Sequence, residues 1–151
     1  MSTVQQTTAT RNQSTAVITS SQPIFIFDNR FKEGIFKNNT GAAFEAKAGQ
    51  LIMRDSAVPN GFLPIVDASG LPQVIGISAF EGPLDIANNG TVSMNICTKG
   101  TIDGNLLVLP SGVTLNTTVA LTDGDKSLSD VLESLGLHID TSAREHTKIE
   151  N

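Results

Sequence analysis

The sequence predicts a small, mainly β body of barrel or sandwich type, with one short C-terminal α-helix and a flexible N-terminal arm. Three observations predict it. Short apolar runs recur at even spacing, separated by Gly, Asn, Asp and Pro turns, which is the signature of a small barrel or sandwich. A single segment, Ser127 to Leu135, carries helical spacing instead. Residues 1–22 are mostly Ser, Thr, Gln and Asn, a composition that buries too little surface to offset the entropy of ordering.

The arm contains no Gly or Pro, so it differs from an inert linker. Its most strand-like part is Thr15-Ala16-Val17-Ile18-Thr19, because Thr, Val and Ile favour extended backbone. The body is expected over residues 23–141. It opens with the apolar run Ile24-Phe25-Ile26-Phe27, a turn at Asp28-Asn29, and a second run at Gly34-Ile35-Phe36. Further runs follow at Ala43 to Ala46, Gln50 to Arg54, Phe62 to Val66 and Val74 to Ala79. Thr91 to Thr98 alternates with a period of two, Gly100 and Gly104 punctuate the chain, and Leu106 to Leu109 is a last apolar run before the helix.

The helix is the clearest element. Leu128, Val131, Leu132 and Leu135 stand at i, i+3, i+4 and i+7, one buried face. Ser127 is a fitting N-cap with Asp130 three residues on, and Gly136 is a natural left-handed stop. Leu137-His138-Ile139 reads as a closing strand, and residues 142–151 as a polar tail.

Length and charge bound the function. A chain of 151 residues suits one domain with tails. The net charge of −5 and the absence of any Lys/Arg cluster argue against sequence-independent nucleic-acid binding, which needs a basic face to displace phosphate counterions. No run approaches the roughly 20 apolar residues of a membrane-spanning helix, and the N-terminus lacks the apolar segment of a secretory signal. Synthesis in the cytoplasm is therefore expected, and the Asn-x-Ser/Thr triplets at Asn12, Asn38, Asn89 and Asn116 read as chance rather than as glycosylation sites.

Chemistry is hard to find. The single cysteine, Cys97, lies in an alternating apolar run and reads as a small buried hydrophobe. His138 and His146 have no partner at metal-ligand or catalytic spacing. Asp123-Gly124-Asp125 resembles half of a calcium loop but lacks the closing glutamate, so it reads as the turn before the helix. No phosphate-cradling glycine motif, carboxylate pair or nucleophile elbow can be nominated. The expectation is a protein with no catalytic residues, no metal and no cofactor. Seven Phe occur with no Trp and no Tyr, which weakens lectin and single-strand-binding readings. Phe25, Phe27, Phe36, Phe44, Phe62 and Phe80 are expected in the core or at a subunit contact.

From about Ala43 to Asp140 the chain resembles the lambda-like head decoration protein family of tailed phages. The resemblance rests on an order of features. Phe44-Glu45-Ala46-Lys47-Ala48-Gly49-Gln50-Leu51-Ile52-Met53-Arg54-Asp55 is similar to the family's strand, Gly turn and strand ending in a polar pair. Leu63-Pro64-Ile65-Val66-Asp67, Val74-Ile75-Gly76-Ile77, and Val92 to Ile96 leading to Lys99-Gly100 resemble the strands that follow. Ser127 to Leu135 with Gly136-Leu137 resembles the late helix. Residues 1–42 lie outside the match.

The resemblance implies a structural virion protein, a homotrimer on the outer surface of an expanded capsid. There it would staple major capsid protein subunits against internal DNA pressure, with no direct contact to nucleic acid or membrane. Its arm, with Thr15, Ala16, Val17, Ile18 and Thr19 as the pairing segment, would add a strand to a capsid-protein sheet edge. Leu71, Val74, Ile75 and Phe80 are the candidates for the trimer contact, against a plainer reading as core. The alternative is another virion component, such as a tail-tube or fibre-base protein, which would form rings or polymers on sizing. A small hydrolase is disfavoured, because nothing assembles a nucleophile, a base and an orienting group.

Overall fold

Two thirteen-residue strands, β1 (Phe25–Lys37) and β7 (Thr91–Asp103), organise the computed structural model, which describes residues 24–142. They run antiparallel from Phe25 opposite Ile102 to Lys37 opposite Thr91. Between them in sequence lie β2 (Phe44–Ala46), β3 (Leu51–Asp55), β4 (Gly61–Pro64), β5 (Val74–Ser78) and β6 (Leu84–Ile86). After them come β8 (Thr118–Val119), β9 (Lys126–Ser127), the helix α1 (Leu128–Ser134) and β10 (Leu137–Asp140). The expected arm, and the expected tail beyond Ser142, fall outside the described residues.

The main sheet has the order β1-β4-β3-β5-β7-β10, and β7 also pairs with β1. That second pairing closes a five-stranded barrel, and β10 extends β7 in parallel from Leu137 opposite Gly100 to Asp140 opposite Asp103. Closure gives most of the barrel's strand edges a partner, which limits exposed pairing groups. The mainly β body with one short helix is therefore the observed fold class.

Two core clusters lie on opposite faces of the strands. The first includes Phe36 of β1, Ile52 of β3, Phe62 of β4, and Met94 and Ile96 of β7, with Ile75 of β5 packed against it. Every barrel strand contributes, so this cluster fills the barrel. Ala46 and Ile86, from the β2–β6 pair, belong to the same cluster. The second includes Leu51, Ile77 and Cys97, which line up across β3, β5 and β7. It is covered by Leu128, Val131 and Leu132 of α1, with Leu71, Val74, Leu137 and Ile139. Fully burying side chains the size of Phe36 or Leu132 contributes about 1.5–3 kcal/mol each.

The helix follows its sequence pattern. The Ser127 hydroxyl accepts from the Asp130 N–H at 3.2 Å, and Gly136 takes φ +99° just past the C-terminus. Leu135 departs from the expected buried face. It is the C-cap residue and is more than a third exposed, because the chain turns into β10 there.

Three expectations are corrected. Asp28-Asn29 is not a turn. It is an irregularity within continuous β1, with Asp28 at φ +51°, because β7 supplies a ladder on both sides of it and the Asn29 amide reaches the Thr101 carbonyl at 3.2 Å. Gly100 likewise does not end its strand. At φ +129° it lies so close to Asn29 that a Cβ would meet the Asn29 backbone at 2.7 Å, and its N–H donates to the Gly136 carbonyl. Leu106 to Leu109 forms no strand of its own. Val108 alone bridges Gln50, while Leu107 and Leu109 pack on the second cluster.

Candidate binding surface

The polar side chains that chemistry would need are scattered. The His138 Nδ1 lies 3.0 Å from the Glu133 carboxylate, and both groups are exposed. Asp123-Gly124-Asp125 forms an exposed turn into β9, with Gly124 at φ +124°. Among the described residues, no three His, Cys, Asp or Glu side chains gather in a group able to hold a metal ion. The Asp67 carboxylate is held below the usual range by the Ser69 hydroxyl and N–H, in an exposed turn that caps the 3-10 segment Ala68–Gln73.

Cys97 is fully buried. Its thiol donates to the Lys99 carbonyl at 3.3 Å and accepts from the Asn29 amide at 3.5 Å. Burial pushes its pKa up, the opposite of what activates a thiolate.

Apolar exposure is more informative. Phe27 is 70% exposed, Phe31 50% and Ile35 44%, all on β1. Isolated exposed hydrophobes are ordinary, but Phe31 borders a depression of about 370 Å³ lined by Phe25, Asn29, Phe31, Ala79, Glu81 and Asn95. The Phe25 and Phe31 rings meet edge to face, 5.4 Å apart at 84°. The floor is built by the ladder itself. Phe31 sits opposite Cys97, Glu33 opposite Asn95 and Ile35 opposite Ser93, and directly opposed residues share a face. The Ala79 N–H bonds the Asn95 carbonyl at 2.9 Å, tying the end of β5 to the same surface. The wall that covers Cys97 and Ile77 thus stops beside Phe31, leaving Glu33, Asn95 and Ile35 open. Two smaller depressions, of about 240 and 200 Å³, flank Val66.

The sequence-derived site residues separate. Leu71 and Val74 are core residues of the single chain, at 0% and 5% exposure, which corrects their nomination for a trimer contact: the 3-10 segment and β5 turn them onto the cluster beneath α1. Ile75 and Phe80 are half-buried against the barrel filling. Thr15, Ala16, Val17, Ile18 and Thr19 lie outside the described residues.

The Phe residues divide as well. Phe36 and Phe62 are core, whereas Phe27 is the most exposed large hydrophobe among the described residues. Phe31 and Ile35 are what sequence reading missed. Their signal was large apolar residues set among Asp28, Arg30, Lys32 and Glu33, hidden by placing a turn at Asp28-Asn29. No protein-family model matches the chain, and no curated protein matches it in sequence.

Proposed function

We propose that the protein is a capsid decoration protein: a homotrimer that binds the outside of an expanded phage head and stabilises it against internal DNA pressure. Its N-terminal arm pairs onto strands of the major capsid protein. The observation that carries this reading is the order of elements from Phe44 to Asp140. Strand, Gly49 turn and strand (β2, β3) are followed by β4, by the Gly76-containing β5, by the alternating β7, and by α1 with its closing strand. That is the order in which the sequence resembles the decoration family.

The surface chemistry supports the same reading. An apolar depression on a barrel wall suits protein contact, since exposed aromatic residues beside polar neighbours are typical of such sites. A single arm paired by main-chain hydrogen bonds binds modestly, because ordering it costs about 1–2 kcal/mol per residue. Three arms held together on a three-fold position bind much more tightly through effective concentration.

The test is binding to undecorated expanded heads, read by co-sedimentation and electron microscopy. The full chain is expected to decorate three-fold positions, and a chain lacking residues 1–22 to keep its circular dichroism and lose binding. Full binding by the truncated chain would remove the arm from the mechanism. No binding by the full chain, together with rings or polymers on sizing, would replace decoration by a tail-tube or fibre-base role.

A further inference from the structure

The depression beside Phe31 lies where the described chain begins. Ile24 is buried, and the next residue, Phe25, already lines the depression. Residues 1–23 therefore join the body at its rim. We infer that the occupant of this surface in the free protein is the chain's own N-terminal segment, with Ala16, Val17 and Ile18 against Phe31, Ile35 and Ala79.

Reach and apolarity select that occupant. The surface spans β1, β7 and β5, two strand spacings or about 10 Å. The residues between Ile18 and Ile24 extend about 20 Å, enough to cross it. Ala16-Val17-Ile18 is the longest apolar run in residues 1–23, and Arg11 is the only charged side chain there. Charges of both signs border the surface. Glu81 lines the depression, and Glu33 shares the face of Asn95, with its carboxylate accepting from the Ser93 hydroxyl at 2.8 Å. Arg30 of β1 stands opposite Lys99, which shares the face of Cys97 and Asn95, whereas Lys32 sits opposite Ile96 of the barrel filling, on the other face from Glu33.

Covering Phe31 and Ile35 removes apolar surface from water at about 25 cal/mol per Å², a gain the arm cannot obtain alone. The irregular stretch of β1 from Phe25 to Phe31 disfavours a regular added strand at that edge, so the contact is made through side chains on the face. This inference concerns the free chain and does not depend on the proposed capsid partner. It gives the arm a first seat from which any partner must displace it.

The chain has no Trp and no Tyr, so Phe31→Trp introduces a single reporter into the full-length protein. Its emission is expected to shift to the blue and to resist acrylamide quenching. Adding Val17→Asp and Ile18→Asp should shift the emission to the red and restore quenching. The protection should be unchanged on dilution. Identical spectra with and without the arm substitutions would overturn the inference. Protection lost on dilution would also overturn it, assigning the surface to a second copy. Should Phe31→Trp disturb the fold by circular dichroism, Ile35→Trp reads the same face with the same outcomes. Capsid binding enters neither readout, so failure here and failure of decoration are distinguishable.

Discussion

The Asn38 side-chain amide donates a 2.8 Å hydrogen bond to the carbonyl of Ile86, 48 residues further along the chain. Its second amide hydrogen bond reaches the Ala42 carbonyl at 2.7 Å, and its oxygen accepts from the Thr40 N–H and hydroxyl. The Asn38 backbone bonds Gly90 and Asn89. One fully buried polar residue therefore ties the end of β1 to β6 and to the loop that enters β7. Asn38→Ala takes this donor from the buried Ile86 carbonyl, at about 1–3 kcal/mol for a buried group left unsatisfied, whereas the exposed Ala42 carbonyl keeps the Thr40 hydroxyl at 2.9 Å. Urea unfolding should show the midpoint falling with an unchanged slope. A loss under about 0.5 kcal/mol would mean that water replaces the amide. The same burial makes Asn38 inaccessible as a glycan acceptor in the folded chain.

Gly34 and Phe62 occupy space that only glycine leaves open. A Cβ on Gly34 would stand 2.6 Å from the Phe62 ring and 2.4 Å from the Asn60 carbonyl oxygen. The parallel contact between β1 and β4 is short, Ile35 opposite Gly61 and Phe36 opposite Phe62, so neither side can shift without opening the barrel. Gly34→Ala is expected to destabilise by about 1–3 kcal/mol or more. Gly112→Ala meets nothing within 4 Å and carries only the strain of φ +78°, about 1–2 kcal/mol. Thermal unfolding of the pair ranks the two effects, and equal losses would show that the Phe62 ring yields.

Much of the fold was legible because it is local. The helix from Ser127 to Gly136 is written in the spacing of Leu128, Val131 and Leu132 and in its cap. The strands β3, β5 and β7 are written as apolar or alternating runs. What was not legible depends on distant partners. Asp28-Asn29 has turn chemistry, and only the ladder to Thr101 and Lys99 keeps the strand going through it. Strands β6, β8 and β9 are two or three residues long and exist through pairing alone. Leu71 and Val74 look the same in sequence whether they face a core or a second subunit. The binding surface was the least legible part, because exposure of Phe31 follows from where the wall over Cys97 stops.

The α1 cap offers a graded pair of substitutions. Ser127→Ala removes the acceptor of the Asp130 N–H and should cost about 1 kcal/mol. Leu132→Ala empties a fully buried position beneath the helix and should cost about 2–5 kcal/mol. Denaturant midpoints for both check the order. A cap loss as large as the core loss would mean that the helix end, rather than its buried face, holds α1 on the barrel wall.

Cys97 links the core to pH. Burial raises the thiol pKa in the folded chain, whereas in the unfolded chain it titrates near about 8.5. Below that value both states hold the proton, and the thiol contributes no pH dependence. Above it the unfolded state releases its proton while the folded state keeps it, so stability falls as pH rises, until the folded thiol also ionises. Urea midpoints measured from about pH 7 to pH 10 should therefore decline, and Cys97→Ala should flatten that decline while lowering stability throughout through the lost packing. A disulfide reagent such as Ellman's should react with the native thiol only as fast as the barrel wall opens. Rapid labelling at pH 7, or an unchanged decline in Cys97→Ala, would show that the row Leu51, Ile77 and Cys97 is open to solvent.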